Sequence, residues 1–248
     1  MTELVHLSVA DEVATITLDS PHNRNALSRQ LLTELVAHLG AAADDDGVKV
    51  ILLRSADRVF CSGADLSEVA GAGSADEGVK AIVQLQRFLA TLPKPVVVEL
   101  KGPVRAGGLG IVGAADMVIA AESVTFALTE VRLALAPSVI SLSLLTRFTS
   151  RSAADLFLTG RTFTAAEAAS VGLITRVVAD DELEAEIARV ITDLRAGHRQ
   201  GHRETKLLLN HDLIARIDAL GDEVAAQSAR LFGSDEAREA IMAFLSKK

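Results

Sequence analysis

A chain of 248 residues suits one α/β domain with a small appendage, and with 49% hydrophobic but only 3% aromatic residues its core must be aliphatic. The net charge of −8 excludes a nucleic-acid surface, which needs clustered Lys and Arg to displace phosphate counterions, and the single cysteine excludes internal disulfides and multi-cysteine metal sites. The longest uncharged apolar run, Leu133 to Thr146, is broken by Pro137 and several serines and is too short to span a bilayer, so no membrane partner is expected.

The first residues carry Glu3, Asp11 and Glu12 and lack the basic-then-apolar pattern of a signal peptide, so the expected location is cytoplasmic. Leu4 to Leu18 alternates in polarity around an acidic turn and predicts a hairpin. After the turn formers Ser20 to Asn23, Leu31, Leu32, Leu35, Val36 and Leu39 recur at helical spacing until Asp44 to Gly47 stops the run. Val48 to Leu53 reads as a buried strand, Asp76 to Leu92 as a helix, and Val96 to Val98 as a strand. A Gly-rich turn is expected at Gly102 to Gly113, followed by a strand at Met117 to Ala120. Thr164 and Glu167 have capping-box spacing, and Gly172 supplies a stop, which predicts a helix at Ala165 to Val171. Leu173 to Val178 reads as a strand, and Glu182 to Leu194 and the chain after Glu204 read as helices. The Gly-punctuated stretch Gly197 to Gly201 divides a core, residues 1–195, from a helical C-terminal region, residues 196–248. The apolar positions of Leu213 to Leu245 are many for an isolated appendage and are expected to bury against a neighbouring subunit.

Phe60 to Leu66 and Gly102 to Gly113 each follow a strand. Two such turns can bring two backbone N–H groups together, the requirement of an oxyanion hole, whose donors must be fixed before negative charge develops. Glu130 follows the second turn amid apolar residues that would raise its pKa toward the acid/base range. From the residues alone, a Glu130–Arg132 ion pair and turns without catalytic purpose remain open.

The ordered segments Asn23-Arg-Asn-Ala-Leu27, Phe60-Cys-Ser-Gly-Ala-Asp-Leu66, Gly102 to Asp116, Glu130-Val-Arg-Leu-Ala-Leu-Ala-Pro137, and Leu158-Thr-Gly160 with Ala165 to Gly172 resemble the enoyl-CoA hydratase/isomerase (crotonase) family over nearly the whole chain. The resemblance implies an α/β spiral of ββα units with a C-terminal helical oligomerisation region, assembled as a homotrimer or hexamer. It implies an acyl-CoA thioester substrate in fatty-acid or branched-chain acyl-CoA metabolism, and no separate cofactor, coenzyme A being part of the substrate. Its oxyanion donors would be the N–H groups of Ala64 and Gly107, and its acid/base group Glu130. Ser62, Ala64, Asp65 and Leu66 would border coenzyme A, with Arg24, Asn25 and Ala26 nearby and Phe244 and Lys247 on the closing C-terminal helix.

One departure stands out. Hydratases of this family usually carry a second glutamate three residues after the oxyanion glycine, and here that position is Gly110. A lone carboxylate can still shuttle a proton between carbons two and four, as single-glutamate isomerases do, or protonate carbon two while something else positions water, so hydratase or isomerase activity is expected. The Gly-Gly-Leu-Gly-Ile and Glu-Val-Arg-Leu runs also resemble a methylglutaconyl-CoA hydratase-like branch. Gly110→Glu is expected to restore a water-activating base if the pocket has space. A crotonase-like protein that kept acyl-CoA binding and lost turnover is the alternative.

Other motifs carry less. Gly108 to Gly113 spells G-x-G-x-x-G, but Lys101 to Ala106 separates it from the preceding strand, unlike a dinucleotide-binding turn. His198, His202, Glu204 and His211 lack the H-E-x-x-H arrangement of a zinc site. Cys61 has no histidine placed as its base and reads as packing. Asp65 reads more strongly as a helix cap than as a catalytic acid, and Asp116 as structural.

Overall fold

The computed structural model describes residues 2–69 and 75–246. Strands β1 (Val5–Ala10) and β2 (Val13–Leu18) form the expected hairpin. Its turn residues Asp11 and Glu12 sit at φ 50° and 65°, the left-handed pair that a tight hairpin turn requires. Helix α1 (Arg29–Asp44) starts where the Ser28 hydroxyl accepts the Leu31 N–H, and it buries Leu31, Leu32, Leu35 and Leu39. Then come β3 (Val50–Ser55), the short α2 (Leu66–Val69), α3 (Ala75–Thr91) and β4 (Val96–Leu100).

The stretch expected to be a Gly-rich turn instead contains β5 (Val104–Arg105) and a buried helix, α4 (Gly108–Ala114). Packing overrides the poor helix propensity of glycine here. A Cβ on Gly108 would lie 2.7 Å from Cys61 Cβ, and one on Gly113 2.7 Å from Ser143 Oγ, so only glycines let this helix approach its neighbours. The chain continues through β6 (Met117–Ala121), β7 (Thr125–Ala127), a 3-10 turn at Thr129–Leu133, α5 (Ser141–Leu144), α6 (Ser150–Thr159) and β8 (Thr162–Thr164). It ends with α7 (Ala165–Ser170), β9 (Arg176–Val178), α8 (Leu183–Arg195), α9 (Arg199–Leu209), α10 (His211–Phe232) and α11 (Asp235–Leu245). The Thr164 hydroxyl accepts the Glu167 N–H as predicted, but the Glu167 carboxylate turns to Arg161.

The large sheet has the order β1-β2-β3-β4-β6-β9 and is parallel after the hairpin. A second layer, β5-β7-β8, is extended by single bridges from Cys61 to Val104 and from Leu27 to Ala64. Each turn of the spiral runs from a large-sheet strand to a short strand or bridge in the second layer: β3 to Cys61, β4 to β5, β6 to β7. The second layer carries the site.

Helices α9 and α10 pack on α3, and α11 lies on the 3-10 turn. Leu213, Ile217, Ala225, Ala237 and Ile241 are therefore buried within the chain itself, while Met242, Phe244 and Leu245 stay exposed. Among the described residues no helix is long and apolar enough to cross a membrane.

Candidate active site

The loop after β3 is sewn down on both sides. Phe60 N–H donates to Pro103 O at 3.2 Å, and Arg105 N–H to Cys61 O at 2.9 Å. On its other flank Ser62 N–H donates to Arg24 O at 3.1 Å, and Leu27 N–H to Gly63 O at 2.8 Å. Gly63 adopts φ +98°; a Cβ there would lie 2.8 Å from Ala106 Cβ, so glycine is what allows the two loops to touch. Ala106 is itself held at φ 47° while its N–H donates to Ala127 O at 3.0 Å. Arg24, Asn25 and Ala134 are also left-handed, the first two in the segment whose Arg24 carbonyl holds Ser62.

This arrangement brings the Ala64 and Gly107 amides together. A Cβ on Gly107 would lie 3.5 Å from Ala64 N, so glycine keeps the space before that amide clear. Among the described residues neither N–H donates to a protein acceptor. Glu130, at the start of the 3-10 turn after β7, lines the same cavity. The residue is half-buried, but its Oε2 is wholly buried without a hydrogen-bond partner. Burial pushes its pKa up to about 7, only partly opposed by its own backbone N–H. Among the described residues no ion pair joins it to Arg132.

The cavity measures about 660 Å³ and is mostly apolar, with Leu85 and Phe88 of α3, Phe232 of α10 and Phe244 of α11 in its wall. Ser62, Ala64, Asp65, Leu66 and Gly107 line it; Arg24, Asn25 and Ala26 do not. Arg24 is exposed, Ala26 is buried, and Asn25 faces inward, accepting from Ser20 N–H at 2.6 Å and donating to Val59 O at 2.8 Å. Lys247 lies outside the described residues. Asp65 caps α2 by accepting the Ser67 N–H at 3.0 Å. Burial would raise its pKa, but hydrogen bonds from Ser67 and Asn23 outweigh this and hold it below the ordinary value. The Cys61 thiol is fully buried and pushed up to about 12, inert as a nucleophile. Gly108 to Gly113 lies inside α4 and forms no phosphate loop, and the His198 ring accepts the Gln200 N–H at the start of α9.

Sequence reasoning passed over Gln86, Ile140 and Ser143, which surround Gly110. The available signal was a long polar amide on the apolar face of the helix at Asp76 to Leu92, where burial is unusual for glutamine.

Two free amides and a carboxylate with one buried oxygen, all lining one apolar cavity, are the parts needed to hold a carbonyl-derived anion while a proton moves. The chain belongs to the enoyl-CoA hydratase/isomerase family, whose profile matches residues 8–248. An enoyl-CoA hydratase from Mycobacterium avium has the same fold with a TM-score of 0.92 and 41% identity, covering 100% of this chain and 98% of that one. Another, from Mycobacterium avium subsp. paratuberculosis, gives 0.89 and 30% identity, over 99% and 96%. The trans-2-decenoyl-[acyl-carrier-protein] isomerase of Streptococcus mutans is 30% identical over 250 residues, 97% of this chain and 94% of that protein. The protein is thus an enzyme of the lyase or isomerase kind with the crotonase-type spiral.

Proposed function

We propose that this protein shifts the double bond of an enoyl-CoA thioester, with Glu130 as its sole acid/base group. The observation that carries the reading is the Glu130 Oε2, buried and unpartnered in the wall shared with two free amides. The thioester oxygen would accept hydrogen bonds from the N–H groups of Ala64 and Gly107, which stabilise the negative charge it gains in the enolate. Glu130 would take a proton from one end of the allylic system and return it to the other, so water is neither added nor lost. Coenzyme A would run along Ser62 to Leu66 past Arg24 to Ala26, with Phe244 and Lys247 at its closing edge. The enzyme would work in the cytoplasm, in fatty-acid or branched-chain acyl-CoA metabolism. Its exposed apolar residues Leu207, Leu208, Leu209, Met242 and Leu245 favour a homotrimer or hexamer.

The test is a panel of 2-enoyl and 3-enoyl-CoA thioesters, assayed in parallel for double-bond migration and hydration. Migration should dominate, and Glu130→Gln should lower it by about 10²–10⁴-fold, the usual contribution of a positioned acid/base group. Hydration exceeding migration would show that another group delivers water. Binding without turnover of any member would identify a silent acyl-CoA binder.

A further inference from the structure

The corner where a second acid/base group would stand is filled. Gly110 is buried in α4 and does not line the cavity, whereas Val139 and Ile140 do. A Cβ on Gly110 would lie 3.0 Å from Ile140 Cγ2 and 3.4 Å from Gln86 Cδ. Gln86 is only 1% exposed, and its amide is committed: Nε2 donates to Val139 O at 2.9 Å, and Oε1 accepts from Ser143 Oγ at 2.7 Å. These bonds tie α3 to the segment bearing Ile140, so the isoleucine cannot swing aside cheaply. The expected restoration of a base by Gly110→Glu meets this obstacle, because the new side chain would start against Ile140 and Gln86.

We propose that Ile140, held in place through Gln86, is a specificity-determining residue that closes the corner beside Gly110 to water and so commits the enzyme to proton transfer over hydration. The inference rests on the single-carboxylate reading above and adds what enforces it. A buried water needs both volume and polar partners. The partner is already present, since Gln86 Oε1 lies 3.6 Å from where a Gly110 Cβ would be and has a second lone pair. Volume is what Ile140 denies: a water admitted there would add its hydroxyl to carbon three of a 2-enoyl thioester, its proton passing to Glu130 as Glu130 delivers one to carbon two.

Ile140→Ala removes the Cγ2 methyl and opens the corner; Ile140→Val keeps that methyl and is the control. The readout is the ratio of hydrated to isomerised product from one enoyl-CoA thioester in ¹⁸O-labelled water, a ratio unaffected by how much enzyme is folded. A loosely placed water recovers only a small part of the ~10²–10⁴ that a positioned group supplies, so Ile140→Ala should raise the ratio about tenfold while Ile140→Val leaves it as in the wild type. Equal ratios in wild type and Ile140→Ala, with both products falling together, would make Ile140 merely structural and overturn the proposal. A wild-type enzyme that turns over no enoyl thioester overturns the underlying reading as well, so the two failures are distinguishable.

Discussion

Glu130 is isolated by geometry that the sequence conceals. Read as letters, Arg132 is its natural ion-pair partner, yet residues two apart on a helical turn do not face each other, and the carboxylate is left in an apolar wall. Resemblance singled out the residue and its apolar neighbours suggested a raised pKa, but only the fold shows the carboxylate unpaired. A carboxyl whose folded pKa is raised keeps its proton where the unfolded chain has lost it, so it destabilises the fold progressively as pH rises from the ordinary 4.5 to about 7, and by a constant amount above. Glu130→Gln removes that cost. The variant should match wild type at pH 4 and exceed it by about 1–3 kcal/mol above pH 7. Thermal melts at paired pH values check this; a stability difference independent of pH would mean that Glu130 titrates normally. On the proposed mechanism, in which Glu130 acts first as a base, wild type should also show kcat/KM rising with pH toward a plateau, with an apparent pKa near 7.

At the scale of elements, long periodic segments were readable and short ones were not. Strand β2, α1 and α3 followed from alternation and helical spacing, because each packs an apolar face on the core, and β1 followed by pairing with β2. Strands β5, β7 and β8 have two or three residues each, too few for a period to show, and they owe their form to pairing across the chain. Helix α4 was hidden by its glycines, which signal a turn locally and serve close packing in the fold. The loop at Gly63 combines both demands. Gly63→Ala would force a Cβ into a left-handed backbone and against Ala106, 3.4 Å from the Gly107 nitrogen. Left-handed strain alone costs about 1–3 kcal/mol, and a shift of about 1 Å in the proposed oxyanion donors can cost roughly 100-fold in rate. Activity should thus fall much further than the urea midpoint does, and a variant that unfolds easily yet keeps its kcat would contradict the assigned role of this loop.

Across the whole molecule, the C-terminal helices are fastened to the sheet by a buried polar knot that the sequence left scattered over more than a hundred residues. Lys206, 4% exposed, lies 2.7 Å from Asp116 Oδ2 and donates to Lys94 O at 3.0 Å. The same Asp116 accepts Val96 N–H at 2.7 Å and Asn210 Nδ2 at 3.3 Å, and Asn210 also reaches Ala90 O. One aspartate, read from the sequence as structural, thus joins β4 and α9 at the edge of β6, and through the next helix it supports α11 over the Glu130 turn. Breaking such a pair from one side strands a buried charge. Lys206→Met keeps most of the packed stem and should cost about 3–5 kcal/mol, read as a lower urea midpoint. Adding Asp116→Asn removes the stranded charge while leaving an oxygen for Val96, so the double variant should regain about 1–2 kcal/mol of that loss despite carrying more changes. If the double variant is instead less stable than Lys206→Met by the full cost of Asp116→Asn alone, the two residues are not coupled, and packing of α10 on α3 holds the C-terminal helices by itself.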